Sequence, residues 1–109
     1  MEVIEFEEKS FIDAINSGKL VIADFYANWC QPCRLQHPVI EEAAKKYGDK
    51  VIFGRVNIEY NPSAARAYDV ASIPTLIFLR YGSIKKKRVG FTDLKELSET
   101  IDDLLQFEF

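Results

Sequence analysis

The only two cysteines of the chain stand three positions apart, in Trp29-Cys30-Gln31-Pro32-Cys33. Their surroundings restrict the fold more than any other feature. An apolar run, Leu20-Val21-Ile22-Ala23-Asp24-Phe25-Tyr26, leads into the pair and reads as a strand. From Cys33 to Tyr47 the pattern is helical. Cys30 is therefore expected where a central strand ends and a helix begins. The first turn of a helix presents unpaired N–H groups and a partial positive charge, and both favour a thiolate over a thiol. The thiolate is the nucleophile of disulfide exchange. Pro32 suits that turn because its missing N–H is not needed there, and it stiffens the spacer. The same spacing also lets two sulfurs share a metal, so both chemistries stand open at this point.

Length and charge narrow the classes. With 109 residues the chain is expected to form one domain, 1–109, around one core. A net charge of −3 gives no case for nucleic acid or a membrane as the main partner. The start, Met1-Glu2-Val3-Ile4-Glu5, is acidic and alternating, unlike a signal peptide. No apolar run approaches the ~18 residues that span a bilayer. A cytoplasmic location is expected, and in a reducing cytosol a cysteine pair is more often catalytic or metal-binding than a structural staple.

The rest of the chain alternates strands and helices. Val3–Phe6 reads as a short strand, and Ser10 is expected to cap a helix to about Asn16, ended by Gly18. The strand Val21–Tyr26 is apolar almost throughout, which implies burial on both faces. Asp24 breaks that run. Either the strand end is solvated there, or Asp24 is a buried acid whose pKa burial raises and which moves protons for Cys33. Pro38 is expected to kink the long helix. His37 follows Cys33 by four, so Cys30, Cys33 and His37 share one helical side, three potential metal ligands without a fourth. The simpler reading of His37 is a surface or boundary residue, and no metal is expected. Arg55, in the strand Val51–Asn57, either neutralises Asp24 from a neighbouring strand or reaches water. Asn61-Pro62 opens a short helix to about Tyr68. Pro74 enters the strand Leu76–Leu79, where it cannot donate to a ladder, and a cis bond is one solution. Tyr81-Gly82 turns into Ile84–Val89, whose Lys85-Lys86-Lys87-Arg88 run reads as an edge strand guarded by charge. Thr92 is expected to cap a last helix that packs Leu94, Leu97, Ile101, Leu104 and Leu105 on the sheet. The order implies an α/β fold, a mixed central sheet of about five strands flanked by about four helices.

These residues together resemble the thioredoxin family over nearly the whole chain. The resemblance is carried by Ala23-Asp24-Phe25-Tyr26-Ala27-Asn28-Trp29-Cys30-Gln31-Pro32-Cys33, by Pro38, by Val56-Asn57-Ile58, by Ile73-Pro74-Thr75 and by Val89-Gly90. It implies the thioredoxin fold and protein-disulfide reduction. Cys30 resembles the attacking thiolate and Cys33 the buried resolving thiol. Asp24 resembles the acid that exchanges protons with Cys33, with Arg55 where the family commonly has lysine. Pro74 resembles a cis-proline facing the cysteines. Trp29, Gln31, Pro32, Ile58, Ile73, Val89 and Gly90 correspond to the flat surface around Cys30, where an extended substrate segment could bond the Ile73 backbone as an added strand does. Lowering a cysteine pKa from ~8.5 to the ~7 of the family raises the ionised fraction at pH 7 from ~3% to about half. Each thiolate is then ~5-fold less nucleophilic, so the net gain is roughly threefold, and the greater benefit is a second thiol already in place.

The implied partners are disulfide-bearing proteins and a separate thioredoxin reductase. The implied cofactor set is empty apart from the Cys30–Cys33 disulfide, and a monomer is expected. Two positions depart from the family: Gln31 stands where glycine is usual, and Tyr26 where tryptophan is common. One hydrogen bond near the sulfur, at ~1 kcal/mol, moves the potential by roughly 20 mV, too little to turn a reductant into a strong oxidant. The alternatives are a disulfide oxidase or isomerase, and a binding module that uses its cysteines for metal or its flat surface for docking.

Overall fold

The computed structural model describes residues 2–107; Met1, Glu108 and Phe109 of the expected 1–109 unit lie outside the described residues. Its strands are β1 (Ile4–Glu5), β2 (Leu20–Tyr26), β3 (Val51–Asn57), β4 (Thr75–Arg80) and β5 (Ser83–Val89). Its helices are α1 (Glu8–Ile15), α2 (Gln31–Tyr47), α3 (Pro62–Ala67) and α4 (Leu94–Phe107). They form one sheet in the order β1-β3-β2-β4-β5. β3 is parallel to both β1 and β2, whereas β4 is antiparallel to both β2 and β5. This is the mixed α/β fold expected.

β2 lies in the middle, and all seven of its residues are buried. Side chains alternate across a strand, so its two faces feed two cores. Leu20 and Ile22 pack with Val51 and Phe53 of β3, with Ile40, Ala43, Ala44 and Tyr47 of α2, and with Leu97 and Ile101 of α4. Val21, Ala23 and Phe25 pack on the opposite face with Phe6, Phe11, Ala14 and Val56. The same alternation puts Asp24 and Arg55 on the α2 face, and the β2–β3 register makes them direct partners.

Several element ends differ from the expectation for a physical reason. α1 begins at Glu8, and Ser10 sits inside its first turn, where its Oγ accepts the Glu7 N–H at 2.9 Å. α2 begins at Gln31, two residues early, because the Cys30 sulfur itself caps it and accepts the Cys33 N–H at 3.3 Å. α2 also runs through Pro38 without a break in its span. α4 is capped by Asp93 and not Thr92: the Asp93 Oδ1 accepts the Glu96 N–H at 2.8 Å. Thr92 is buried instead, and Leu94 is exposed, while Leu97 and Ile101, with the partly buried Leu104 and Leu105, form the packed stripe.

The β4–β5 turn has positive φ at both central residues, Tyr81 (53°) and Gly82 (77°), the geometry that matches the twist of a tight hairpin. β5 is an edge strand, and Lys85 is the extra residue of a bulge between the Phe78–Lys86 and Leu79–Ile84 pairs. Lys87 folds over the outside and donates to the carbonyls of Tyr68 (3.3 Å) and Asp69 (2.6 Å). Charge and bulge together blunt the edge.

Gly54 of β3 is required by close packing, since a Cβ there would collide with the buried Phe6 ring. Gly54→Ala is expected to destabilise the fold by about 2 kcal/mol through this overpacking. Urea denaturation checks it, and an unchanged midpoint and slope would show that the ring moves aside freely.

Candidate active site

The first turn of α2 carries the cysteine pair as a disulfide, Cys30–Cys33, with Cα atoms 5.3 Å apart. Both residues are buried, Cys33 (1% exposed) more deeply than Cys30 (5%). Tyr26 and Ala27 pack with the pair, and Ile58 and Ile73 close over it. Pro32 and Gln31 occupy the exposed outer side of the turn. Gln31 is the first helical residue, so the spacer forms part of the helix.

Around this centre the structure assembles most of the residues picked out by sequence. The Ile73–Pro74 bond is cis. Thr75 pairs with Val89 across β4 and β5, and the Gly90 N–H donates to the Pro74 carbonyl at 2.8 Å. The segments Ile73–Thr75 and Val89–Gly90 are thus one continuous piece of backbone pairing. Trp29 and Val89 are exposed, 66% and 65%. The Trp29 indole N–H donates to Glu59 Oε2 at 3.1 Å, which holds the ring to the loop after β3. Phe91, half exposed, extends the apolar rim beyond Gly90, and the sequence reading passed over it.

Asp24 is fully buried, so the solvated alternative is overturned. Arg55 comes from the neighbouring strand, with Nε 3.5 Å from Asp24 Oδ2. That is an ion contact without hydrogen-bond geometry, and both carboxyl oxygens lack a hydrogen bond. Burial pushes the Asp24 pKa up to about 7; Arg55 pulls the other way and offsets only part of that rise. Arginine stays charged at every relevant pH, so Arg55 supplies a fixed field where a lysine could also pass on a proton.

The support of Arg55 was not legible in sequence. Its guanidinium carbon lies 3.6 Å from the Tyr26 ring centroid. Stacking of this kind contributes about 1–2 kcal/mol when partly desolvated. The Tyr26 hydroxyl in turn donates to Glu5 Oε2 at 2.6 Å. Burial first, and then this bond to a carboxylate, push the Tyr26 pKa up to about 12. Glu5 of β1, Tyr26 of β2 and Arg55 of β3 thus form one chain of contacts ending on Asp24. Tyr26 provides the hydroxyl this chain of contacts needs.

A cleft of about 260 Å³ opens beside these groups, lined by Tyr26, Ala27, Asn28, Cys33, Arg34, His37 and Arg55. It joins Cys33 to Arg55 and to solvent. His37 is the half-buried helix residue expected, and its Nε2 lies 3.5 Å from Glu41 Oε2 on the next turn of α2. Among the described residues no three His, Cys, Asp or Glu side chains group closely enough to hold a metal ion.

A cysteine pair where a central strand gives way to a helix, on a five-stranded sheet with helices on both faces, is the architecture of a thiol–disulfide oxidoreductase. The thioredoxin family model matches residues 2–103. The chain is 38% identical over 103 residues to the thioredoxin of Buchnera aphidicola, covering 94% of this chain and 95% of that one. It is 37% identical over 99 residues to the thioredoxin of Alicyclobacillus acidocaldarius, covering 91% and 94%. It is 38% identical over 102 residues to that of Staphylococcus epidermidis, covering 94% and 97%. The chain belongs to the thioredoxin family, and its chemistry is thiol–disulfide exchange through Cys30 and Cys33.

The raised pKa of Asp24 has a stability consequence of definite sign. The unfolded carboxyl ionises near 3.8 and the folded one near 7. Between those values the folded state holds the extra proton. The contribution of Asp24 to the stability of the oxidised protein is therefore expected to be greatest below about pH 4, to fall as pH rises, and to level off above about 7. The total loss is at most about 4 kcal/mol. Asp24→Asn is expected to flatten that window. Urea denaturation of both proteins at intervals from pH 4 to 8 measures it, and a constant difference between them would place the ionisation of Asp24 elsewhere.

Proposed function

We propose that this protein is a general protein-disulfide reductase that receives its electrons from a separate thioredoxin reductase. The observation that carries the reading is the asymmetry of the pair. Cys30 caps α2 and takes the Cys33 N–H, while Cys33 lies deeper, on a cleft shared with the partner of Asp24. An N-terminal helix position stabilises a thiolate at Cys30.

The reduced Cys30 thiolate attacks one sulfur of a substrate disulfide and expels the other as a thiolate. The product is a mixed disulfide. Cys33 then gives up its proton, with Asp24 as acceptor, and attacks the Cys30 sulfur. The substrate leaves with both sulfurs reduced, and the protein is left as the Cys30–Cys33 disulfide. Two electrons have passed to the substrate, and the reductase restores them. The field of Arg55 keeps the Asp24 pKa from rising further, so that the acid is near half ionised at pH 7 and can work in both directions. No cofactor beyond the cysteine pair enters the cycle.

Substrate binding is assigned to the surface around Cys30. Trp29, Ile58, Ile73 and Val89 offer apolar contact, and Gln31 and Pro32 form the outer edge of the active-site turn. The backbone of Ile73, before cis Pro74, and that of Gly90 give an extended segment a pairing edge. The protein is proposed to work as a monomer in the cytoplasm; among the described residues no helix is long and apolar enough to cross a membrane.

Cys33→Ser is expected to accumulate a Cys30 mixed disulfide with an oxidised protein such as insulin, read by mass spectrometry without reductant. No adduct with any oxidised protein would remove the two-step scheme. Asp24→Asn is expected to slow the resolving step by about tenfold or more between pH 6 and 8. An unchanged resolution rate across that range would remove Asp24 from the mechanism.

A further inference from the structure

Gln36 is a fully buried polar side chain on α2, one turn beyond Cys33. Its amide is engaged by the backbone of one distant residue. Nε2 donates to the Thr92 carbonyl at 2.9 Å, and Oε1 accepts the Thr92 N–H at 2.8 Å. Thr92 is itself buried and lies in the link between β5 and α4, outside any strand or helix. Buried backbone N–H and C=O groups in such a link need partners, and a glutamine amide presents the complementary acceptor and donor. Two residues earlier, the Gly90 N–H is held by the Pro74 carbonyl. The link is therefore pinned at both ends: to the cis-proline segment on one side and to the cysteine-bearing helix on the other.

We propose that Gln36 is a positioning residue that sets the spacing between the cysteine pair and the Val89–Phe91 wall, the far rim of the substrate surface. The proposal rests on the reading of that surface as the place where a substrate segment docks. Val89 and Phe91 are exposed and have little packing of their own to hold them. Their position follows from Gly90 and Thr92. With an apolar side chain at position 36, the Thr92 N–H and C=O lose both partners and must turn towards water. The wall then moves or loosens, while the first turn of α2, capped by the Cys30 sulfur, keeps its own hydrogen bonds. A purely structural role for Gln36 would lower stability without separating large substrates from small ones.

The experiment starts from the oxidised protein and follows reduction of the Cys30–Cys33 disulfide by the fluorescence of Trp29, the only tryptophan. Two reductants are compared: dithiothreitol, and an unstructured octapeptide carrying two cysteines. In each case the dithiol becomes a disulfide and the protein gains two electrons and two protons. For Gln36→Leu, the rate constant with the peptide is expected to fall by roughly five- to tenfold, the scale set by one hydrogen bond of lost ordering. The dithiothreitol rate is expected to change by less than about twofold on the same scale. Gln36→Glu gives a second route if the leucine variant does not fold. Its carboxylate accepts the Thr92 N–H but cannot donate to the Thr92 carbonyl, and its protonated form can do both. The peptide-to-dithiothreitol ratio of that variant, relative to wild type, is expected to recover as pH is lowered. Equal losses with both reductants, or no loss with either in a folded variant, would overturn the proposal. The assay does not depend on which direction the protein works in, so a failure of the reductase reading in the insulin experiment leaves this result readable.

Discussion

An acid held in a sheet without a hydrogen bond is the constraint on which the rest of this site depends. β2 has a core on each face, so Asp24 has no route to bulk water through its own strand. The sheet register answers by putting Arg55 opposite it. The answer is incomplete, because the contact is 3.5 Å and the carboxyl oxygens remain without hydrogen bonds. A tight bidentate pair would fix the carboxylate as a permanent anion. An unpartnered carboxyl would stay protonated through neutrality. The intermediate geometry leaves an acid that changes state near pH 7, which is the property a proton exchanger needs.

The same balance accounts for the other polar groups near the centre. Arg55 is only partly solvated and uses the Tyr26 ring as one of its neighbours. Tyr26 lends its ring to the guanidinium and its hydroxyl to Glu5. Each group is held by a different interaction: ion contact, stacking, charged hydrogen bond. The result spans three strands at the side of the cysteine helix. It is a rigid support, since all three strands are fixed by the backbone ladder before any side chain is placed.

Much of this was legible because it depends on local pattern. The strand character of Leu20–Tyr26 and the helix after the cysteines followed from periodicity, and burial on both faces followed from the apolar run. Asp24 stood out because it broke that run. Arg55 was identifiable as a possible neutraliser, but its pairing required the β2–β3 register, which no local pattern states. The caps were misread for a related reason. Ser10 and Thr92 have the right chemistry for a cap, yet Glu7 with Ser10 and Asp93 set the helix starts, and Thr92 was taken by a partner 56 residues away. The Gln36 side chain gave no signal, since a glutamine in a helix is normally a solvated residue. Tyr26 could be seen as a departure from its relatives, although its link to Glu5 and Arg55 exists only once the strands are side by side.

β1 has two residues and sits at the edge of the sheet, where a short strand is easily treated as trim. Yet Glu5 lies there, and the path from it to the buried acid has only two intervening side chains. The chain's first strand is consequently an electrostatic input to its redox centre. Peeling it away, by a truncation, a bulky fusion at that end or a partner that competes for the edge of β3, would shift the ionisation of Asp24 while leaving both cysteines and their helix untouched.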